Sequence, residues 1–264
     1  MNTEQNEIDR RIQTYYADLF DENARLTTRS AQGPLEFART QELVRERVPK
    51  GARVADIGGG AGVHSQALVA AGYDCVLLDP VPRHVEQARS AGVSAVVGDA
   101  RELPWGAAEF DAAILLGPLY HLASASDRLR ALSEARRVVK PGGVLLAAGL
   151  SRYVAFGRTM LARPVPRSMP GEWERLIVDG EPGSNMRFPA GHFHTAEELS
   201  AELVAAGLAD VAVVGIEGPA GLFLEMSTDA DAEVREAALT LARAAASAPG
   251  IRDFSAHLLA VGRV

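Results

Sequence analysis

The sequence is poor in cysteine: Cys75 is the single one among 264 residues. A lone thiol excludes an internal disulfide and any metal site built from clustered thiolates. Surplus positive charge is missing as well. The formal net charge is −7, so the chain repels phosphate backbones and nucleic acid is not the expected partner. No apolar run approaches the roughly 18 residues that a membrane helix needs. The opening MNTEQNEIDRR lacks the basic-then-apolar order of a secretory signal. Internal repeats and low-complexity linkers are also lacking. These absences point to a cytoplasmic globular protein with no membrane partner, either monomer or homodimer. The 47% apolar and 23% charged residues are the balance of a chain that buries a sizeable core. The length suits one α/β domain with a cap.

Periodicity divides the chain. Ile8, Ile12, Tyr15, Tyr16, Leu19 and Phe20 recur at helical spacing. Gly33-Pro34 reads as a break, and a second helix is expected over 36–47. From residue 53 short apolar runs alternate with helical segments. Runs are expected at 53–57, 75–79, 94–97, 110–116 and 144–150, with helices at 63–71, from Pro82 to before Gly92, and at 125–139. Continuous apolar strands joined by crossovers imply a parallel sheet covered on both faces. The rhythm fails over 151–191, a stretch rich in Pro, Gly and Arg that reads as a lid or binding loop. It resumes at Thr195, which with Glu198 fits a capping box. A sixth strand at 211–216, a helix near 229–247 and a last strand at 256–261 follow. The expected boundaries are an N-terminal helical lid over 1–50 and an α/β domain over 51–264, with a cap insertion at about 151–191.

The densest chemical signal is Asp56-Ile57-Gly58-Gly59-Gly60-Ala61-Gly62, which leaves the first strand and enters a helix. Glycines there let the backbone turn tightly and approach a ligand, and the helix start offers N–H groups to a polar or anionic group. The dinucleotide fingerprint G-x-G-x-x-G/A fits poorly, because its third small position falls on Val63, or on Ser65 when read from Gly60. The pattern acidic-x-Gly-x-Gly-x-Gly fits at Asp56, Gly58, Gly60 and Gly62. Further along, Asp79-Pro80 closes the second run, Gly98-Asp99-Ala100 the third, Phe110-Asp111 opens the fourth, and Lys140-Pro141-Gly142-Gly143 precedes the fifth.

Taken together these motifs resemble the class I S-adenosylmethionine-dependent methyltransferases, over about residues 50–216. The resemblance implies a Rossmann-like seven-stranded sheet of order 3-2-1-4-5-7-6 with strand 7 antiparallel and helices on both faces. It implies S-adenosyl-L-methionine as cofactor. The loop Asp56, Gly58, Gly59, Gly60 and Gly62 would hold it, with Asp79 and Pro80 at the ribose, Asp99 and Ala100 at the adenine, and the backbone of Leu116 and Gly117 at the methionine end. The segment Leu116-Gly117-Pro118-Leu119-Tyr120-His121-Leu122 is similar to one common in a bacterial group that methylates small molecules. It departs from the (N/D)-P-P-(Y/F) of enzymes that methylate amide and base nitrogens.

Methyl transfer needs alignment, exclusion of water and, for a hydroxyl or ammonium acceptor, a base. His121 is the candidate base, since histidine takes a proton near neutral pH; packing is the alternative role for it and for Tyr120. Tyr16 and Arg39 are expected to contact the site from the N-terminal lid. Tyr120, His192 and His194 are candidate substrate contacts, although Gly191-His192-Phe193-His194-Thr195 reads equally as packing. No third metal ligand accompanies the two histidines, so no metal is expected. The expected substrate is a small metabolite methylated on oxygen, nitrogen or carbon. An NAD(P)-dependent oxidoreductase and a non-methylating S-adenosylmethionine-binding protein are the alternatives.

Overall fold

The computed structural model describes residues 3–16, 22–154, 171–183 and 188–264. Leu19, Phe20, Arg158, Arg163, Arg167 and Arg187 lie outside them. The N-terminal part forms α1 (Thr3–Thr14), α2 (Glu22–Thr27) and α3 (Gln32–Arg47). Contrary to the expected break, Gly33 and Pro34 lie in the first turn of α3. The first four N–H groups of a helix have no intrahelical acceptor, so a proline costs nothing there. Gly33 is required by packing: a Cβ on it would stand 2.1 Å from the Arg25 carbonyl oxygen.

Among the described residues the sheet has seven strands in the order β3-β2-β1-β4-β5-β7-β6. They are β1 (Arg53–Ile57), β2 (Asp74–Asp79), β3 (Ser94–Val97), β4 (Phe110–Leu115), β5 (Val139–Leu150), β6 (Ala209–Gly215) and β7 (His257–Arg263). Pairing is parallel from β3 to β5, and β7 runs antiparallel to both β5 and β6. Between them lie α4 (Val63–Ala70), α5 (Pro82–Ser90), a 3₁₀ turn at Pro118–His121, α6 (Ala125–Val138), α7 (Gly171–Asp179), α8 (Ala196–Ala205), α9 (Gly218–Leu224) and α10 (Ala232–Ala245).

Alternation along each strand feeds two cores. Ala55, Ala113, Leu145, Ala147, Leu258 and Ala260 pack with Leu132 and Ala135 of α6 and Leu199 and Leu203 of α8. Val54, Ala112, Ile114, Leu146, Leu259 and Val261 pack with Leu43 and Val44 of α3 and Leu68 of α4. Successive side chains point to opposite faces, so only a sheet covered on both sides can bury such unbroken apolar strands. Each fully buried leucine contributes about 1.5–3 kcal/mol.

Two elements differ from expectation, and α9 forms in a segment for which the sequence pattern carries none. β5 begins at Val139 rather than at 144, because residues 140–143 form an irregularity inside the strand, where pairing jumps from Phe110↔Val139 to Ala112↔Val144. Gly142 takes φ +79 there, and a Cβ on Gly143 would lie 2.6 Å from the Asp111 carbonyl oxygen. Helix α9 forms with Gly218, Pro219 and Gly221 inside it. Pro219 stands in the first turn, and Gly221 lets the helix lie against Glu217, 2.5 Å from where its Cβ would be. Within the segment expected to lack structure, α7 is a helix with Leu176 buried against Ala190 and Phe193.

Candidate functional site

The C-terminal edge of the parallel strands opens into a cavity of about 320 Å³, within the usual range of small-ligand pockets. β1 delivers Asp56 and the glycine loop to it. Gly58 and Gly60 have φ +72 and +57, conformations that L side chains rarely adopt. A Cβ on Gly58 would also strike Pro118 Cγ at 2.6 Å, whereas Gly60 has nothing nearer than His84 Nδ1 at 3.9 Å. The loop therefore presents bare backbone to open space. Gly62, with φ +83, caps the start of α4 behind the lining and packs on Ala88.

Asp79, at the end of β2, is 5% exposed and lines the cavity. It accepts hydrogen bonds from Gly60 N (2.8 Å), Val81 N (2.9 Å) and His84 Nδ1 (3.2 Å). Three of about four acceptor positions of the carboxylate thus tie the glycine loop to the start of α5, and one is left for a ligand. Asp99, beyond β3, also faces the cavity. Burial disfavours its charge, but hydrogen bonds from Arg101 outweigh that and lower its pKa. Arg101 reaches Asp9 of α1 as well (3.0 Å), which links the N-terminal helix to the β3 loop. Asp56 behaves oppositely. Burial, with the Asp79 charge nearby, pushes it up to about 7 despite the hydrogen bond from Ser65 Oγ (2.6 Å). Its Oδ1 is buried without a partner.

Pro80, Ala100, Leu116, Gly117, Tyr120, His121 and Tyr16 also line the cavity. Tyr16 OH stands 3.1 Å from His121 Nε2, and His121 Nδ1 is 2.8 Å from the Pro189 carbonyl oxygen. Only the Nδ1–H tautomer satisfies both contacts: Nδ1 donates to Pro189 and Nε2 accepts from the tyrosine. Burial lowers its pKa to about 4 although the Pro189 contact opposes this. His121 is therefore a neutral ring engaged at both nitrogens, a geometry that serves packing rather than proton uptake. With Tyr15, Tyr16, Tyr120 and Phe188 it forms an aromatic roof, its ring 5.2 Å from that of Phe188. Gln5 clamps the same turn, donating to the His121 carbonyl (3.1 Å) and accepting from Ala123 N (2.9 Å). Gln13 donates to the Pro80 carbonyl (2.7 Å).

His192, His194 and Arg39 do not line the cavity. His194 is 0% exposed, with Nε2 3.2 Å from Glu202, and the position of a Cβ on Gly149 would be 2.9 Å from its Nδ1. The two rings lie 4.6 Å apart, His194 against Gly149 of β5 and His192 against Gly180; Arg39 pairs with Glu42 on the flank of α3 (2.9 Å). Sequence reasoning missed Glu36, Thr40, His64, His84, Arg101 and His257, all of which line the cavity. None belongs to the motifs, although His84 lies just beyond Asp79-Pro80. Glu36, Glu217 and His257 each bring one donor atom within 4.8 Å of the others. Arg25 already holds Glu36 by two hydrogen bonds (2.5 and 2.8 Å), which makes the group a compensated ion network rather than a ready cation site.

The sheet order decides between the nucleotide-binding alternatives. A dinucleotide fold runs 3-2-1-4-5-6; here an antiparallel β7 is inserted between β5 and β6. Residues 55–147 match the family described as Methyltransferase domain. That stretch is a methyltransferase domain, set in a sheet of the class I S-adenosylmethionine-dependent methyltransferase fold. Its relatives include the probable tRNA methyltransferase 9B of Homo sapiens, 37% identical over 114 residues. They also include the demethylmenaquinone methyltransferase of Renibacterium salmoninarum, 31% identical over 155 residues. These matches cover 42% and 57% of this chain but only 24% and 60% of the relatives' own lengths. The fold extends further. An S-adenosylmethionine-dependent methyltransferase structure from Thermotoga maritima, 21% identical, superposes with a TM-score of 0.61 over 97% of this chain and 98% of its own. No helix among the described residues of the methyltransferase domain is long and apolar enough to cross a membrane.

Proposed function

We propose that the protein transfers a methyl group from S-adenosylmethionine to a small organic molecule. One observation carries this reading: the glycine loop, Asp79 and Asp99 converge from three strand ends on one roofed cavity. The residues fit the cofactor. Bare backbone at Gly58–Gly60 leaves room for the methionine portion, with Leu116 and Gly117 across from it. The spare acceptor position on Asp79 suits a ribose hydroxyl, and Asp99 with Ala100 suits an adenine amino group. Bound there, the cofactor supplies an electrophilic methyl on a sulfonium.

The chain's own part is alignment and exclusion of water. Within the N-terminal part, α3 belongs to the core against the sheet, and α1 with Tyr16 acts as the lid, held down by Gln5, Gln13, Tyr16 and the Asp9–Arg101 pair. The segment ending at Pro189 meets it across His121. A roof of this kind, together with the net charge of −7, favours a small acceptor over nucleic acid, although one relative is named for tRNA. Titration calorimetry with S-adenosylhomocysteine tests the reading. Binding is expected with wild type and a loss of at least tenfold in affinity with Asp79→Ala, since hydrogen bonds to a charged group contribute about 1.5–3 kcal/mol. Failure of the wild-type protein to bind, or binding of NAD(P) in its place, refutes it.

A further inference from the structure

The cavity has a second lobe that the cofactor-facing residues do not fill. The glycine loop, Asp79 and Asp99 stand at the ends of β1, β2 and β3. On the other side of β4 the lining is Ala148 of β5, Ile216 just after β6 and His257 at the start of β7, with Leu26, Glu36 and Thr40 contributed by the N-terminal part. Because β7 is antiparallel, its first residue stands level with the end of β5, and His257 pairs with Leu150. Leu26, Ala148 and Ile216 make apolar walls, and the polar groups gather at one spot.

That spot is fully organised. Glu217 is 0% exposed and accepts hydrogen bonds from Ser255 Oγ (2.7 Å), His257 N (3.0 Å) and Gln32 Nε2 (2.8 Å). It also accepts from His257 Nδ1. This last bond fixes Nδ1 as the donor and sets the ring plane, so Nε2 is the nitrogen with proton chemistry to offer. Glu36 lies 3.7 Å from the same Nδ1 and is paired with Arg25. Two carboxylates and one guanidinium leave one negative charge for the histidine to balance. His64, the remaining titratable group beside them, is lowered to about 4 by burial and stays neutral.

We propose that the Glu217–His257 pair, with both ring nitrogens protonated, holds the acceptor as its oxyanion during methyl transfer, and that the acceptor carries an acidic hydroxyl, phenolic or enolic, whose oxygen receives the methyl. The proposal rests on the methyl-transfer reading above. In the step, the acceptor hydroxyl has released its proton and lies as an oxyanion against the protonated Nε2 of His257. An oxygen lone pair forms the new bond to the methyl carbon, and the electron pair of the broken carbon–sulfur bond stays on sulfur. The negative charge of the oxyanion and the positive charge of the sulfonium cancel as the methyl moves, and the imidazolium is unchanged. Burial disfavours the imidazolium, but Glu36 and Glu217 outweigh it, with Arg25 opposing, and raise His257 to about 9. A cation of that strength keeps its charge near neutral pH and stabilises the anion of a weakly acidic hydroxyl beside it.

The test uses 4-nitrophenol as probe, whose anion is coloured, on protein loaded with sinefungin, a non-transferring analogue that carries an ammonium in place of the sulfonium. In wild type the bound probe should ionise about one pH unit lower than it does in His257→Gln, a tenfold change in its ionisation equilibrium. Glu217→Gln keeps an acceptor for Nδ1 but removes a charge, and should give a shift between the two. It also covers the case that His257→Gln does not fold. Equal ionisation in all proteins that fold, or no binding of the probe to wild type, overturns the assignment. Titration with S-adenosylhomocysteine separates this failure from that of the underlying reading: both variants should bind it within twofold of wild type, and a wild type that does not bind it removes the methyl-transfer reading itself.

Discussion

Asp56 offers a prediction whose size can be worked out in advance. Its carboxyl is 1% exposed and its pKa is raised from 3.8 to about 7 by burial, with a smaller push from Asp79 against the Ser65 hydrogen bond. The folded protein therefore holds this proton more tightly than the unfolded chain does. Below the unfolded value both states are protonated and the residue costs nothing electrostatically. Stability is then lost as pH rises from about 4 to about 7, and the loss is constant beyond. The full gap corresponds to about 4 kcal/mol; between about pH 5 and about pH 8 the loss is about 2.5 kcal/mol. Asp56→Asn removes it. The asparagine oxygen can still accept from Ser65 Oγ, while the new amide nitrogen stands where Oδ1 has no partner. That unsatisfied donor costs about 1–3 kcal/mol at any pH. The diagnostic quantity is therefore the change in the difference between the two proteins. Urea unfolding of the ligand-free proteins should show the variant gaining about 2.5 kcal/mol on wild type between the two pH values. Parallel stability profiles would refute the reasoning, because they would mean that Asp56 is ionised in the fold at no cost.

Two further outcomes follow from the geometry. Gly58→Ala places a methyl 2.6 Å from Pro118 Cγ at a φ of +72; about 1–3 kcal/mol of backbone strain is expected, with at least a tenfold loss of S-adenosylhomocysteine affinity by calorimetry. Thr195→Ala removes one half of the capping box with Glu198 and should cost about 1 kcal/mol in chemical denaturation, with cofactor affinity unchanged.

Much of the fold is legible in the sequence because its signals are local. β1 and β3 occupy 53–57 and 94–97 as their apolar runs require, and α5 starts at Pro82. The failures come from glycine and proline where packing, not chain termination, calls for them. Gly33-Pro34 opens a helix, and the turn at 140–143 sits within a strand. In both cases the residue that reads as a breaker is explained by an atom from elsewhere: the Arg25 carbonyl at Gly33 and the Asp111 carbonyl at Gly143. Such neighbours have no trace in a window of sequence.

The same distinction divides the site. Asp56, the glycine loop, Asp79 and Asp99 each sit at a strand end. A strand end is visible as the place where an apolar run stops, so the amino-acid pattern alone singles these residues out. His121 rests on the same kind of signal, position after β4, but its chemistry depends on Tyr16 and Pro189, more than sixty residues away on either side. The acceptor lobe is more distant still from any local pattern. Glu36 enters from α3, Glu217 from the turn after β6 and His257 from β7, and they meet because β7 runs against its neighbours and brings its first residue to the edge where β5 ends. A sheet with β7 parallel would carry the same residues to the opposite edge and leave the lobe without its histidine. Antiparallel insertion of the seventh strand is therefore what brings His257 to the acceptor side of this cavity.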